Sequence, residues 1–364
     1  MTAAYSSAAD GVGEAVAGRV VVVSAPIGAG HDGAARELAR RLRLGGLRVD
    51  RVDFLDLLPG RLGAALCALY RRQVEAAPRS WNWLLAALDT PLLAAAARWG
   101  ARLAVPRLRA VLGPDVGLAV STYPLATHAL AALRSCGELA APLAVHLTDP
   151  SVHRLSVSPW ADVTVAPTAF AARHARELGA ARVVLAPPLV GPQFHPLRSS
   201  RERERVRAAL GLPAHRPLVL VTSGSWGVGQ VGQTVADVAS CGHAAEPVVV
   251  CGRNEALRAR LVAAGRSHVL GWVENMAELI RACDVVVQNA GGLTASEALA
   301  CGVPVVTYRC LPGHGRTNAE ALDADGSVPW IRSPDDLRRH LASVLAVQPT
   351  VRAVPEQPVA EVTR

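Results

Sequence analysis

The sequence predicts an α/β protein built from two doubly wound, Rossmann-like domains facing a cleft. Three observations carry this. Short runs that are apolar throughout alternate with helical segments, the alternation is run through twice, and a proline-rich break separates the two passes. Strands with no polar alternation belong to parallel sheets covered by helices on both faces.

In the first domain, residues 19–195, strands are expected at Arg19–Ala25, Leu47–Phe54, Val116–Ser121, Pro142–Leu147, Asp162–Ala166 and Arg182–Ala186. Between the second and third, Arg61–Leu112 reads as a long helical insertion. It holds eight arginines against Glu75 and Asp89, which accounts for six of the net charge of +8, and it carries Trp81, Trp83 and Trp99. Cations and indole rings on apolar helices suit the headgroup layer of an anionic membrane; a hairpin packed on the sheet with solvated arginines has the same composition. The joint is APPLVGPQFHPL, residues 186–197, whose four prolines exclude regular structure. SSRERERVRAAL then reads as an exposed charged helix opening the second domain, residues 196–347. Its strands are expected at Pro217–Thr222, Pro247–Cys251, His268–Trp272, Asp284–Gln288 and Pro304–Tyr308. Residues 1–18 and 348–364 read as flexible ends.

Composition excludes several classes. The 38 basic residues are all arginine, which points to coding bias rather than to guanidinium chemistry, and no nucleic-acid partner is expected. Seven cysteines without a C-x-x-C pair read as reduced structural thiols, hence a cytoplasmic protein. No stretch suits a signal peptide or a bilayer span.

SAPIGAGHDGAAREL, residues 24–38, follows the first strand. Gly28, Gly30 and Gly33 complete a formal G-x-G-x-x-G, and Asp53 lies about 20 residues on, as in a dinucleotide site. However, Ala25, Pro26 and Ile27 separate strand from glycines, and His31 projects from the loop. An imidazole with a pKa of about 6.5 suits a general base at neutral pH. The loop therefore admits two readings, cofactor loop and active-site loop.

In the second domain, NAGGLTASEALACGVPVV, residues 289–306, places two glycines between a strand and a helix. Such a turn turns backbone N–H groups toward a diphosphate, and Glu297, two turns on, suits a ribose. TSGSWGVGQ, residues 222–230, is a second loop of this type. Asp323-Ala324-Asp325 spells D-x-D but sits at a helix end before Gly326, so no metal site is expected. His128, His146 and His174 lie in or beside apolar runs, as hydrogen-bonded structural histidines do.

LGWVENMAELIRACDVVVQNAGGLTASEALACGVPVVTYRCLPGHGRTNAEAL, residues 270–322, resembles the donor half of glycosyltransferases of the two-Rossmann (GT-B) fold. Within them it is most similar to the monogalactosyldiacylglycerol synthase and diacylglycerol glucosyltransferase family, related to the N-acetylglucosaminyltransferase that makes lipid II. The first domain agrees through Gly30-His31, DFLDLLP, Tyr70 to Trp83, and LTDPSVH with Asp149 and His153. The resemblance covers about residues 19–330.

The resemblance implies a UDP-sugar donor, no cofactor and no metal. It assigns the uracil to the backbone at Trp272 and Val273, the diphosphate to Gly291, Gly292 and Thr294, and the ribose to Glu297. Ser225 and Gly227 border the diphosphate and acceptor. Gly313, His314 and Asn318 occupy the sugar-recognition turn, which in the family typically reads P-G-Q-E-x-x-N; His314 and Gly315 depart from it, which opens the identity of the sugar and the activity itself. His31 becomes the catalytic base and Asp149 its partner, with Gly28, Gly30 and His153 beside the acceptor. Asn289, where retaining enzymes often carry glutamate, favours inversion.

The expectation is an inverting hexosyltransferase acting on a lipid hydroxyl, with diacylglycerol as the acceptor, held peripherally on the inner face of the cell membrane through Arg61–Leu112. The rivals are transfer to a soluble small molecule, a non-catalytic nucleotide-sugar or lipid binder, and a nucleotide-sugar epimerase.

Overall fold

The computed structural model describes residues 18–27, 29–76, 90–242, 245–289 and 291–346. Gly28, Trp81, Trp83 and both terminal segments lie outside the described residues.

The first domain is a six-stranded parallel sheet: β1 Arg19–Ser24, β2 Arg48–Asp53, β3 Val116–Ser121, β4 Leu143–His146, β5 Val163–Ala166 and β6 Val183–Leu185, in the order β2-β1-β3-β4-β5-β6. Its helices are α1 Ala29–Leu44, α2 Leu62–Ala76, α3 Pro91–Ala101, α4 Val105–Val111, α5 Pro124–Ser135 and α6 Ala169–Glu177. The second domain has strands β7 Leu218–Thr222, β8 Glu246–Val250, β9 His268–Leu270, β10 Val285–Gln288, β11 Val305–Tyr308 and β12 Trp330–Ile331, in the order β12-β11-β10-β7-β8-β9, again parallel. Its helices are α7 Ser200–Ala209, α8 Val231–Ala239, α9 Glu255–Ala263, α10 Met276–Ala282, α11 Gly292–Ala300, α12 His314–Ala324 and α13 Pro334–Ala346.

The central strands serve two cores because successive side chains point to opposite faces. Val21 and Val23 enter one cluster with Leu108, Leu130 and Leu133, whereas Val20 and Val22 enter another with Leu38 and Ala39 of α1. In the second sheet Val219 and Val221 meet Val235 and Leu337, while Leu218 and Leu220 meet Leu279, Ala295 and Ala298. Burial on both faces explains why these strands lack polar alternation.

Strand order reverses between β1 and β3 and between β7 and β10. Crevices at such switch points, beyond the carboxyl ends of the strands, are where open α/β sheets take ligands. His31 and Thr122 lie at the first, and the loop 223–230 with Asn289, Gly291 and Gly292 at the second.

Two expectations change. The glycine-rich segment is helical from Ala29, so His31 stands in the first turn of α1 rather than in the loop. Helix α7 is not wholly exposed: Arg203 and Arg207 reach Asp284 at 2.7 and 2.8 Å, and Arg207 is buried because it also binds the carbonyls of Ala282, Ala214 and Arg216. Residues 186–197 form no helix or strand, as their prolines dictate. Among the described residues no helix is long and apolar enough to cross a membrane.

Candidate functional site

The first domain contributes a partly buried base. The Nδ1 atom of His31 lies 2.7 Å from the Thr122 carbonyl oxygen. A carbonyl only accepts, so Nδ1 carries the proton and Nε2 the lone pair. Burial lowers the His31 pKa against the pull of Asp149 and of the Thr122 carbonyl, with His314 pushing the same way, so the neutral form prevails. The ring stands edge-on to Tyr123 at 5.5 Å, and Tyr123 leans on Phe54, which fixes the imidazole plane.

Thr148, which the sequence reading left out, completes the assembly. Its Oγ1 is 2.9 Å from His31 Nδ1 and donates to Asp149 Oδ2 at 3.2 Å. A base, a hydroxyl and a carboxylate thus form one chain. Burial works to raise the Asp149 pKa, but His314, His31 and the Thr148 hydroxyl together hold it well below the ordinary carboxylate range.

The second domain closes on this carboxylate. His314 Nε2 and Asn318 Nδ2 each lie 3.3 Å from Asp149 Oδ1. Burial opposes the charged form of His314, yet Asp149 outweighs it and raises the pKa. Ser151 reaches Asn318 Oδ1 through its N–H at 3.2 Å and its hydroxyl at 2.5 Å, and Thr317 donates to the Ser151 hydroxyl at 3.3 Å. A Cβ on Gly292 would sit 2.5 Å from Pro150 Cδ, so only glycine lets α11 approach this loop so closely.

The donor side is built from backbone. Helices α11 and α12 are preceded by Gly291 and Gly313 as caps, which offer no side chain to bond their first N–H groups. Gln288 fixes the turn by accepting from the Gly291 N–H at 2.7 Å, and Asn289 ties the two glycine-rich loops together by donating to the Val228 carbonyl at 2.8 Å. Gly227, at φ +58°, lies against the Cys251 carbonyl where a side chain would collide. The Ser225 carbonyl accepts from the Arg253 N–H at 2.9 Å, and the Arg253 guanidinium lies over the rings of Trp272, at 4.6 Å, and Trp226, at 5.8 Å. Arg253 was also absent from the sequence reading. Trp272 is half exposed, and Val273 packs beside it on the core. Thr294 and Glu297 lie on α11. No described group bonds the Glu297 carboxyl, and burial lifts its pKa to about 8. An unbonded carboxyl in this position has free acceptors for a diol.

Not every expected residue converges here. His153 Nδ1 accepts from the Leu155 N–H at 3.1 Å and caps the short turn 154–156. Gly30 is in the first turn of α1 with open space where a Cβ would be. Asp53, the dinucleotide candidate, accepts from the Leu55 N–H at 2.8 Å and ends β2. Asp323 accepts from the Trp330 N–H at 3.0 Å, so the D-x-D has a structural task.

Residues 225–346 match the family described as glycosyl transferases group 1. The architecture matches as well: the Anabaena HepE protein, solved in complex with UDP-glucose, superposes with a TM-score of 0.52 over 91% of this chain and 100% of its own, at 15% identity. The fold is GT-B. A processive diacylglycerol beta-glucosyltransferase of Bacillus cereus is 30% identical over 254 residues, 66% of this chain and 63% of the relative, so the alignment spans less than two thirds of that protein. A namesake from Bacillus thuringiensis is 26% identical over 347 residues, 88% of this chain and 83% of its own. In this GT-B chain the group 1 match contains α11, α12 and both glycine-rich turns, whereas His31, Thr148 and Asp149 belong to the other domain.

Proposed function

We propose that this chain transfers a hexose from a UDP-sugar to a lipid hydroxyl, with diacylglycerol the acceptor that its relatives suggest, by a single inverting displacement on a membrane surface. The observation that carries the reading is the meeting of His31, Thr148 and Asp149 from one domain with Gly292, His314 and Asn318 from the other.

The acceptor O–H gives its proton to Nε2 of His31. Its oxygen bonds to the anomeric carbon as the bond from that carbon to the β-phosphate oxygen breaks, and UDP leaves with the electron pair. The imidazolium formed is balanced by Asp149 through Thr148. Charge growing on the diphosphate meets the open N–H groups at the start of α11. Glu297 accepts from the ribose hydroxyls, and the backbone beside Trp272 takes the uracil. The names of the Bacillus relatives, and the UDP-glucose bound by the Anabaena fold neighbour, support this choice of donor and acceptor. The exposed Leu92 and Trp99 of α3 support a membrane-facing first domain.

Incubation with UDP-glucose, UDP-galactose or UDP-N-acetylglucosamine and diacylglycerol vesicles tests the proposal by the mass of the glycolipid formed. A new lipid heavier by one hexosyl residue is expected. Transfer only to soluble acceptors, or UDP binding without any product, would contradict it.

A further inference from the structure

Strand β11 runs into a backbone that costs free energy to hold. Arg309, the residue after it, has φ +47°, in the left-handed region, and is the one non-glycine residue there among those described. An arginine gains nothing locally from that conformation, so it persists only where the surroundings dictate it. Those surroundings are specific. Arg309 Nε and Nη2 each lie 2.8 Å from Asp237 Oδ2 on α8, and Nη1 donates to Gln230 Oε1 at 2.6 Å. The same carboxylate oxygen accepts from the Tyr308 hydroxyl at 2.8 Å, and the guanidinium lies over the Tyr308 ring at 5.2 Å.

The sheet does not need these bonds, because β11 already pairs with β10 and β12. What they fix is the direction of the chain beyond it. Residues 310–313 turn over the loop 223–230: the Leu311 N–H donates to the Asn289 carbonyl at 2.7 Å, and a Cβ on Gly229 would meet Leu311 Cδ2 at 2.9 Å. Gly313, at φ +70°, then opens α12, whose first residue is His314 at 3.3 Å from Asp149. The loop itself has other anchors, since Asn254 donates to the Gly227 carbonyl at 3.0 Å and Asn289 to that of Val228 at 2.8 Å. Removing Arg309 therefore frees the turn and leaves the loop in place. We infer that Arg309 is a positioning residue for the hexosyl group of the nucleotide sugar, its bonds to Asp237 and Gln230 setting the turn 310–313 and with it His314 and the start of α12. The inference rests on the transfer reading above and deepens it, because the sugar and the nucleotide then have separately fixed supports, the turn after β11 for one and α11 for the other.

Kinetics and calorimetry of the full chain separate the two supports. Arg309→Gly keeps the left-handed turn without strain but removes the guanidinium. For the UDP-sugar that the wild type uses, kcat/KM is expected to fall about 10- to 100-fold, with UDP affinity within twofold. Gln230 is exposed, so Gln230→Ala breaks one bond without emptying a core, and a loss of about threefold is expected. Arg309→Lys restores a cation beside Asp237 and is expected to recover part of the loss. The control Arg338→Gly puts a glycine into α13 and breaks an exposed pair with Asp335, and it is expected to change kcat/KM less than twofold. Equal losses of UDP affinity and kcat/KM in Arg309→Gly, or the same loss in the control, would overturn the inference. The place of His314 is read without any donor. Asp149 and His31 of the first domain and Asn318 of its own helix face its imidazole, and Asp149 raises its pKa. In NMR of the histidine side chains, with His314→Gln assigning the resonance, His314 is expected to titrate at lower pH in Arg309→Gly than in the wild type. An unchanged titration would overturn the positioning role, whereas a wild type that binds no nucleotide sugar would refute the transfer reading on which it rests.

Discussion

Asp149 and His314 face each other across the domain boundary at 3.3 Å, and the same carboxylate reaches His31 through Thr148. One partly buried anion thus serves the base of one domain and a histidine of the other. In the resembling family a glutamine usually stands at the position of His314, so here closure of the cleft gains a titratable contact.

The sign of that contact is fixed by the direction of the shift. The His314 pKa is raised because Asp149 outweighs burial, so the charged pair is complete below pH 6.5 and is lost as the pH rises through the raised value. Scattering in the presence of UDP is expected to show the wild type opening as the pH rises above neutrality. His314→Gln is expected to show no such change; a wild type equally closed at all pH values would contradict this.

Thr148 acts as a positioning residue. Thr148→Val keeps the branched shape but removes the hydroxyl between His31 and Asp149, and a drop in kcat of about 10- to 100-fold is expected, the usual worth of an orienting partner. Without that link the imidazolium loses support, so the acid limb of the pH–rate profile moves to lower pH. Thr148→Ser should restore both. An unchanged profile in the valine variant would remove Thr148 from the chain.

Glu297 has a raised pKa, about 8, because partial burial disfavours its charged form and no described group bonds it. The folded chain therefore holds a proton that the unfolded chain releases from about pH 4.5 upward, and stability falls as the pH rises toward 8. Glu297→Gln is expected to flatten this slope and to be the more stable protein at pH 8 in thermal melts, while weakening UDP binding by about 1.5–3 kcal/mol in calorimetry. Unchanged UDP affinity would detach Glu297 from the ribose.

Asp284 binds Arg203, Arg207 and the Leu218 N–H at 2.7, 2.8 and 2.7 Å. Asp284→Ala leaves the buried Arg207 without its counter-charge, and urea unfolding is expected to show a loss of about 3 kcal/mol with little effect on UDP affinity. A loss below about 1 kcal/mol would show that the carbonyls around Arg207 suffice.

Most strands were legible in the sequence because burial on both faces leaves an unmistakable apolar run, as in Val20–Val23 or Val285–Val287. β12 was not, since Trp330 and Ile331 are too short a run to carry a period. Loops could be placed but not paired. LTDPSVH drew attention to Asp149 and His153, yet Thr148, one residue earlier, matters only because α1 brings His31 to within 2.9 Å of it. Ser151 and Arg253 were hidden for the same reason: their partners, Asn318 and the rings of Trp226 and Trp272, are set by tertiary placement rather than spacing. His153 shows the converse, a residue singled out by motif whose Nδ1 caps a turn.

The turnover of His31→Ala shows whether His31 is the base. Nε2 of His31 is the nitrogen left unprotonated by the bond from Nδ1 to the Thr122 carbonyl, so no other group in the chain His31–Thr148–Asp149 is as well placed to take the acceptor proton. In this variant kcat is expected to fall by about 10²–10⁴ while UDP affinity, set in the other domain, stays within twofold. Turnover within a few-fold of the wild type would contradict it and return His31 to the role of a packed helix-terminal residue.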